Sequence, residues 1–178
     1  GVKMKNTVIF DLDGTIAFID KRRIKAGSPS GKSPSPSKMD WDVFFDPDNI
    51  KLDDPNPPVI KLAQMFKADG FKIVIFSGRN DRSFNTTKQW LKKFDVPFDL
   101  LVMRPDKFKS DSWPIADGNP ATPDMRFMPD DILKKKMLDT FVDINDVFVV
   151  VDDRQKVVDM WRNLGLNTWQ VAPGFFFF

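Results

Sequence analysis

The 178-residue chain contains no cysteine, no histidine and no tyrosine, and all 25 of its acidic residues are aspartate. Without imidazole or glutamate, any acid, base or metal ligand must come from Asp, Ser, Thr, Lys or Arg. The missing cysteine rules out a disulfide framework and thiolate metal sites, but says little about redox compartment. No apolar run approaches the roughly 18 residues of a membrane span, and the N-terminus lacks the apolar stretch of a signal peptide. No membrane association and a cytoplasmic location are therefore expected. What remains is an ordinary apolar fraction in a length that suits one domain, 1–178, with a sizeable core.

Charge is distributed unevenly. The net charge is +2, yet Lys21, Arg22, Arg23, Lys25, Lys32 and Lys38 lie between Asp20 and Asp40 with no acid among them. Residues 28–38, "SPSGKSPSPSK", are polar and low in complexity, so 21–50 is expected to form a flexible basic loop or cap inserted into the domain. The aromatics of "MDWDVFF" (39–45) mark a return to packing. Residues 104–129 hold five prolines and little periodicity, and are expected to form a second, irregular insertion.

Elsewhere short apolar runs alternate with helical patterns. "NTVIF" (6–10), "FKIVIF" (71–76), "FDLLVM" (98–103), "VFVVV" (147–151) and "NTWQV" (167–171) predict strands. Helices are predicted from Asn56-Pro57-Pro58 to Gly70, over 83–94, from Asp130, and through Val157, Val158, Trp161 and Leu164 to Gly165. Uniformly apolar strands alternating with helices imply a mainly parallel sheet covered on both faces, a Rossmann-like three-layer α/β sandwich with a small cap or insertion. Ligands bind at the carboxyl ends of such strands.

Those strand ends carry the informative residues: "DLDGT" after the first strand, "SGRN" after the second and "DDR" after the fourth. Asp11, Asp13, Asp152 and Asp153 would converge on one edge of the sheet, where like charges require a cation between them. A hard divalent metal with oxygen ligands, most simply Mg²⁺, meets that need. An aspartate carboxylate can also attack phosphorus. Asp11 fits that nucleophile. Asp13, two residues on, fits a general acid and base, Gly14 permits a tight turn, and Thr15 offers a hydroxyl. On the helix from Asp130, Lys134 shares a face with Leu138 and Phe141, whereas Lys135 and Lys136 face solvent.

"DLDGT" (11–15), "SGR" (77–79), a lysine at 134 and "DD" (152–153) stand in the order of the four motifs of the haloacid dehalogenase (HAD) superfamily, which the chain resembles. Within it, "VIFSGRN", "DDILKKK", "VVVDDRQKVVDMWR" and "WQVA" are similar to the 3′-phosphatase domain of phage polynucleotide kinase–phosphatases. The likeness spans nearly the whole chain outside 21–50 and 104–129. It implies Mg²⁺-dependent hydrolysis of 3′-phosphates at DNA or RNA ends through an aspartyl-phosphate on Asp11, in a phage-type setting inside the host cell. Asp11, Asp13, Asp152 and Asp153 would serve the metal, Asp13 through its main-chain carbonyl and Asp153 more directly than Asp152. Ser77, with backbone N–H groups near Gly78, would hold the phosphoryl oxygens beside Lys134. Arg79 would contact the phosphate or the substrate end. Arg126 and Arg154 are further substrate contacts, although Arg154 could equally pair with a nearby aspartate. Arg104, Lys107, Lys109 and Trp113 are weaker ones.

Two other readings are open, a HAD phosphatase for free nucleotides or small metabolites and a non-catalytic nucleic-acid-binding module. Residues 26–33, "AGSPSGKS", imitate a phosphate loop with Ala26 for its first glycine and Gly31-Lys32-Ser33 at its end. A working phosphate loop joins a buried strand to a helix. Here "KRRIK" precedes and proline-rich "PSPSK" follows, so nucleoside triphosphate binding at 26–33 is not expected. The basic segment suits a polyanionic substrate instead.

Overall fold

The computed structural model describes residues 4–27, 39–106, 113 and 123–173. A sheet of five parallel strands runs through its centre. β1 (Thr7–Phe10) lies in the middle, β4 (Lys72–Asn80) and β5 (Leu100–Arg104) lie to one side, and β6 (Val147–Asp152) and β7 (Thr168–Gln170) lie to the other. The chain leaves β1 for one flank and later returns to the other. The carboxyl end of β1 is therefore a crevice where the strand order reverses.

The uniform hydropathy of the inner strands follows from burial on both faces. Val8, Phe10, Ile73, Ile75, Val149 and Val151 pack against α4 (Pro57–Ala68) and α5 (Phe84–Lys93). Ile9, Val74, Phe76, Val102 and Val150 pack against α6 (Asp130–Phe141) and α7 (Gln155–Asn163). The three-layer sandwich is as expected. The prolines at the first turn of α4 lose no hydrogen bond, since those N–H groups have no helical partner. The Asn56 side chain does not cap them; it donates instead to the Thr15 carbonyl at 2.8 Å.

Two expectations need correction. The second strand does not stop at Phe76 but continues through "SGRN" to Asn80, which pairs with Arg104 of β5. The described part of 21–50, expected to be a flexible basic loop or a cap, is helical. It forms α1 (Asp20–Lys25), α2 (Trp41–Phe44) and α3 (Pro47–Ile50), between the antiparallel strands β2 (Ala17–Phe18) and β3 (Asp54–Pro55). Around α1 and α2 lies a small apolar cluster of Ile19, Ala26, Met39 and Phe44, with Trp41, Val43 and Phe45 against it. The Asp40 N–H donates to the Ala26 carbonyl at 3.0 Å, joining the two ends of this cap. Residues 28–33 of the phosphate-loop look-alike, Lys32, Lys38, Lys107, Lys109, most of 104–129 and the terminal phenylalanines lie outside the described residues.

Candidate active site

Asp11 follows β1 directly, its N–H donating to the Val151 carbonyl at 2.9 Å, so the backbone ladder itself sets its side chain at the crevice. Asp11 Oδ1 accepts from Lys134 Nζ at 2.5 Å, and Oδ2 accepts from the Thr15 hydroxyl at 3.0 Å. Lys134 projects from the buried face of α6 and also reaches Asp152 Oδ2 at 3.3 Å. Burial alone would favour its neutral amine, but Asp11, Asp152 and Asp130 overcome that and hold the ammonium above the ordinary lysine range. Asp152, at the end of β6, is saturated: Oδ1 takes the N–H groups of Asp153 and Arg154, and Oδ2 takes Lys134 and the Trp161 indole. Asp153 contacts the Thr15 hydroxyl at 3.1 Å and lines the cavity.

Asp11, Asp152 and Asp153 each present a carboxylate oxygen within 4.8 Å of the others, all three buried. Only one ammonium, that of Lys134, bonds to them among the described residues. Burial, then the charge of Asp11, pushes Asp152 up to about 6 and Asp153 up to about 9. Clustered hard oxygen donors with surplus negative charge fit Mg²⁺. Asp11 and Asp153, which face the cavity, are the candidates for direct ligation, with Asp152 behind them. Gly14 explains how the chain passes so close. Its φ is +84°, and a Cβ there would stand 2.2 Å from Asp153 Oδ2.

Asp13 points away from this cluster into a buried quartet. Its Oδ1 accepts from Arg22 Nη2 at 3.0 Å and Arg79 Nε at 2.7 Å. Both guanidiniums are also bound by Asp53, through Arg22 Nε at 2.8 Å and Arg79 Nη2 at 2.7 Å. Burial works to raise the Asp13 pKa, but the charges of Arg22 and Arg79 outweigh it and hold the carboxyl below its ordinary value. Both contacts fall on Oδ1, which leaves Oδ2 for a reacting oxygen. Arg79 is thereby placed differently from expectation. It is fully buried, gives its remaining nitrogen to Thr87 Oγ1 at 3.1 Å, and orients Asp13 rather than lining the cavity.

The other expected residues divide between cavity and support. Gly78 lines the cavity against Asp130, whose Oδ1 would lie 2.7 Å from an added Cβ. Ser77 is buried, its Oγ accepting the Arg79 N–H at 3.1 Å. Thr15 is buried too, its hydroxyl engaged by the carboxylates, so it supports the site and is no substrate contact in this arrangement. Arg154 pairs with Asp130 at 2.5 Å and still lines the cavity, as does Arg126, which pairs with Asp106 at 3.4 Å. Arg104 lines the cavity as well, but serves as a staple, bonding the carbonyls of Gly78, Met125 and Met128 and the Asp130 carboxylate. Trp113 is a core residue whose indole donates to the Met103 carbonyl at 2.8 Å.

Arg22, Asp53 and Asp130 were not expected. Arg22 was hidden in a charge run, Asp130 looked like a helix start, and Asp53 carries no local signal. Above these groups lies a cavity of about 740 Å³. Its floor is Asp11, Asp13, Lys134 and Asp153. One wall comes from the cap, with Arg23, Trp41 and Phe44, and the other from Arg126, Phe127 and Arg154.

A family model described as the polynucleotide kinase PNKP phosphatase domain matches residues 37–176. The chain is similar to a protein in a solved Pnkp1/Rnl/Hen1 complex, with 28% identity and a TM-score of 0.70 over 99% of this chain and 49% of that one. A haloacid dehalogenase-like family hydrolase from Streptococcus pneumoniae shares the fold, with a TM-score of 0.56 at 14% identity over 96% of this chain and 86% of that one. A protein of Autographa californica nuclear polyhedrosis virus, provisionally named bifunctional polynucleotide kinase/RNA ligase, is 28% identical over 172 residues. That match takes in 94% of this chain but 19% of the viral protein. The chain thus spans half or less of these two larger relatives.

Proposed function

The chain belongs to the polynucleotide kinase PNKP phosphatase domain family, and from that premise we propose that it removes the 3′-phosphate from DNA or RNA ends, with Asp11 as nucleophile. The observation that carries this reading is the Asp11 carboxylate. It is held between Lys134 and Thr15 at the floor of a cavity that Asp13 and Asp153 also line. The basic side chains Arg23, Arg126, Arg154 and Lys156 around that cavity suit a polyanion.

In the first step an Asp11 carboxylate oxygen attacks phosphorus and the bond from phosphorus to the 3′ oxygen breaks. Asp13 acts here in its protonated form, the minor one because Arg22 and Arg79 favour the carboxylate, and gives that proton from Oδ2 to the departing oxygen. In the second step Asp13 takes a proton from water, which attacks the aspartyl-phosphate phosphorus, releases inorganic phosphate and restores Asp11. Charge spreads over the phosphoryl oxygens in both steps, and the Lys134 ammonium beside Asp11 is placed to offset it. Mg²⁺ held by Asp11 and Asp153, with Asp152 behind, would add Lewis-acid stabilisation of the same charge.

Phosphate release from a 3′-phosphorylated oligonucleotide, compared with a 3′-mononucleotide, tests the reading. The oligonucleotide should be the better substrate, and Asp11→Asn should turn over neither. Equal or faster turnover of the mononucleotide would remove the polynucleotide assignment. Activity surviving in Asp11→Asn would remove the nucleophile.

A further inference from the structure

Exposed large apolar side chains are scattered over the surface, as on most proteins, and most need no explanation. Phe127 differs from the rest. It is 81% exposed, and among the described residues it is the one exposed large apolar side chain that lines the cavity. It contributes nothing to the core clusters, so burial does not account for it. Its neighbour Arg126 sets a guanidinium 5.3 Å from the ring centroid and lines the same cavity. From α2, Trp41 lines the cavity as well, stacked on Phe45 with ring centroids 5.9 Å apart and an interplanar angle of 20°.

Resting on the function proposed above, we propose that Phe127 is a specificity-determining residue that stacks on the 3′-terminal nucleobase. A solvated ring at the mouth of a charged cavity is a poor neighbour for phosphate but a good platform for a base, because every base has a π-face. Arg126, beside the ring, is placed for the phosphodiester that links the terminal nucleotide to the rest of the strand, a contact that carries no base preference. Recognition of this kind requires an unpaired terminal nucleotide and is indifferent to which base it carries.

The test compares two substrates. One is an oligonucleotide ending in a 3′-phosphate. The other is the same strand with its terminal nucleoside replaced by a base-free tetrahydrofuran carrying the 3′-phosphate. Stacking acts equally on bound substrate and transition state, so its loss raises KM and spares kcat. For the unmodified protein, removing the base should raise KM about tenfold, within the range expected for one base–aromatic stack. Phe127→Ala should produce the same rise on the intact strand and less than a twofold rise on the base-free one, while Phe127→Trp keeps the parental KM on both. The proposal is overturned if Phe127→Ala raises KM equally on both substrates, or on neither, or if the parent does not distinguish them. Should neither oligonucleotide be turned over while p-nitrophenyl phosphate is, the nucleic acid reading itself fails and the stacking proposal goes with it.

Discussion

Replacing Asp53 with asparagine should damage the protein far more than its distance from the cavity suggests. Asp53 is buried and takes three guanidinium contacts, from Arg22 Nε at 2.8 Å, Arg22 Nη2 at 3.0 Å and Arg79 Nη2 at 2.7 Å. The same arginines hold Asp13, so two cations face two anions in a neutral quartet. Asparagine preserves shape and one acceptor, but leaves two buried guanidiniums against one carboxylate and turns an amide N–H₂ toward a cation. Removing one partner of a buried ion pair costs about 3–5 kcal/mol, and the retained acceptor argues for the lower end. At ~2–4 °C per kcal/mol for a domain of this size, the melting temperature should fall by ~6–12 °C. Asp48→Asn is the control: it removes only the exposed Lys51 pair, with 3.4 Å between its charged atoms, and should move the melting temperature by less than ~3 °C. Phosphate release adds a second readout. With Arg22 and Arg79 free to shift, Asp13 loses its fixed orientation, and kcat should drop at least tenfold while KM is largely kept. An Asp53→Asn protein that melts within ~2 °C of the parent and keeps its kcat would refute the quartet as the device that positions Asp13.

Saturating Mg²⁺ should stabilise the fold by about 2.7 kcal/mol at a hundredfold excess over Kd, read as a melting shift that EDTA reverses and Asp153→Asn abolishes. An unchanged melting temperature in the parent would remove the metal assignment. Gly14→Ala places a Cβ 2.2 Å from Asp153 Oδ2 at a φ of +84°. It should cost at least ~2 kcal/mol and suppress the Mg²⁺-dependent shift, and a parental response to Mg²⁺ would contradict this. Asp99 tests the pH dependence of stability. Burial opposes its charge, but Lys67 at 2.7 Å and the Ile73 N–H at 2.8 Å hold it below its ordinary value. A depressed folded pKa contributes stability above the unfolded value, about 3.9, and loses it as pH falls through the folded one. Urea unfolding should therefore show Asp99→Asn weaker by ~1 kcal/mol at pH 7, with the gap closing as pH falls below the ordinary aspartate range. A gap that persists in acid would mean that the lost contribution is not the ionised carboxylate.

Much of this structure was legible because burial and hydropathy coincide. β1, β4 and β6 lie between helix layers, so their apolar runs announced both the strands and the crevice beyond them, and Asp11, Asp152 and Asp153 followed from position alone. Legibility stopped where a tertiary partner reverses the usual meaning of a residue. "SGRN" looked like a loop because polar residues rarely occupy a buried strand. Here Ser77 takes the Arg79 N–H, Arg79 is neutralised by Asp13 and Asp53, and Asn80 bonds Asp106 at 2.8 Å. "KRRIK" looked like part of a flexible basic loop, and the anionic partner of Arg22, Asp53, is 31 positions away. Yet one local signal was present. Ile19, Arg22, Arg23 and Ala26 stand at i, i+3, i+4 and i+7, and all four are buried. The two arginines occupy the apolar stripe of α1, bracketed by apolar residues, whereas Lys21 and Lys25 lie on the exposed side. A guanidinium in that stripe cannot be solvated, so it must meet a buried acceptor. Ile19-Arg22-Arg23-Ala26 therefore contained, without naming it, the demand for a carboxylate inside the fold, and Asp13 and Asp53 are the carboxylates that meet it for Arg22.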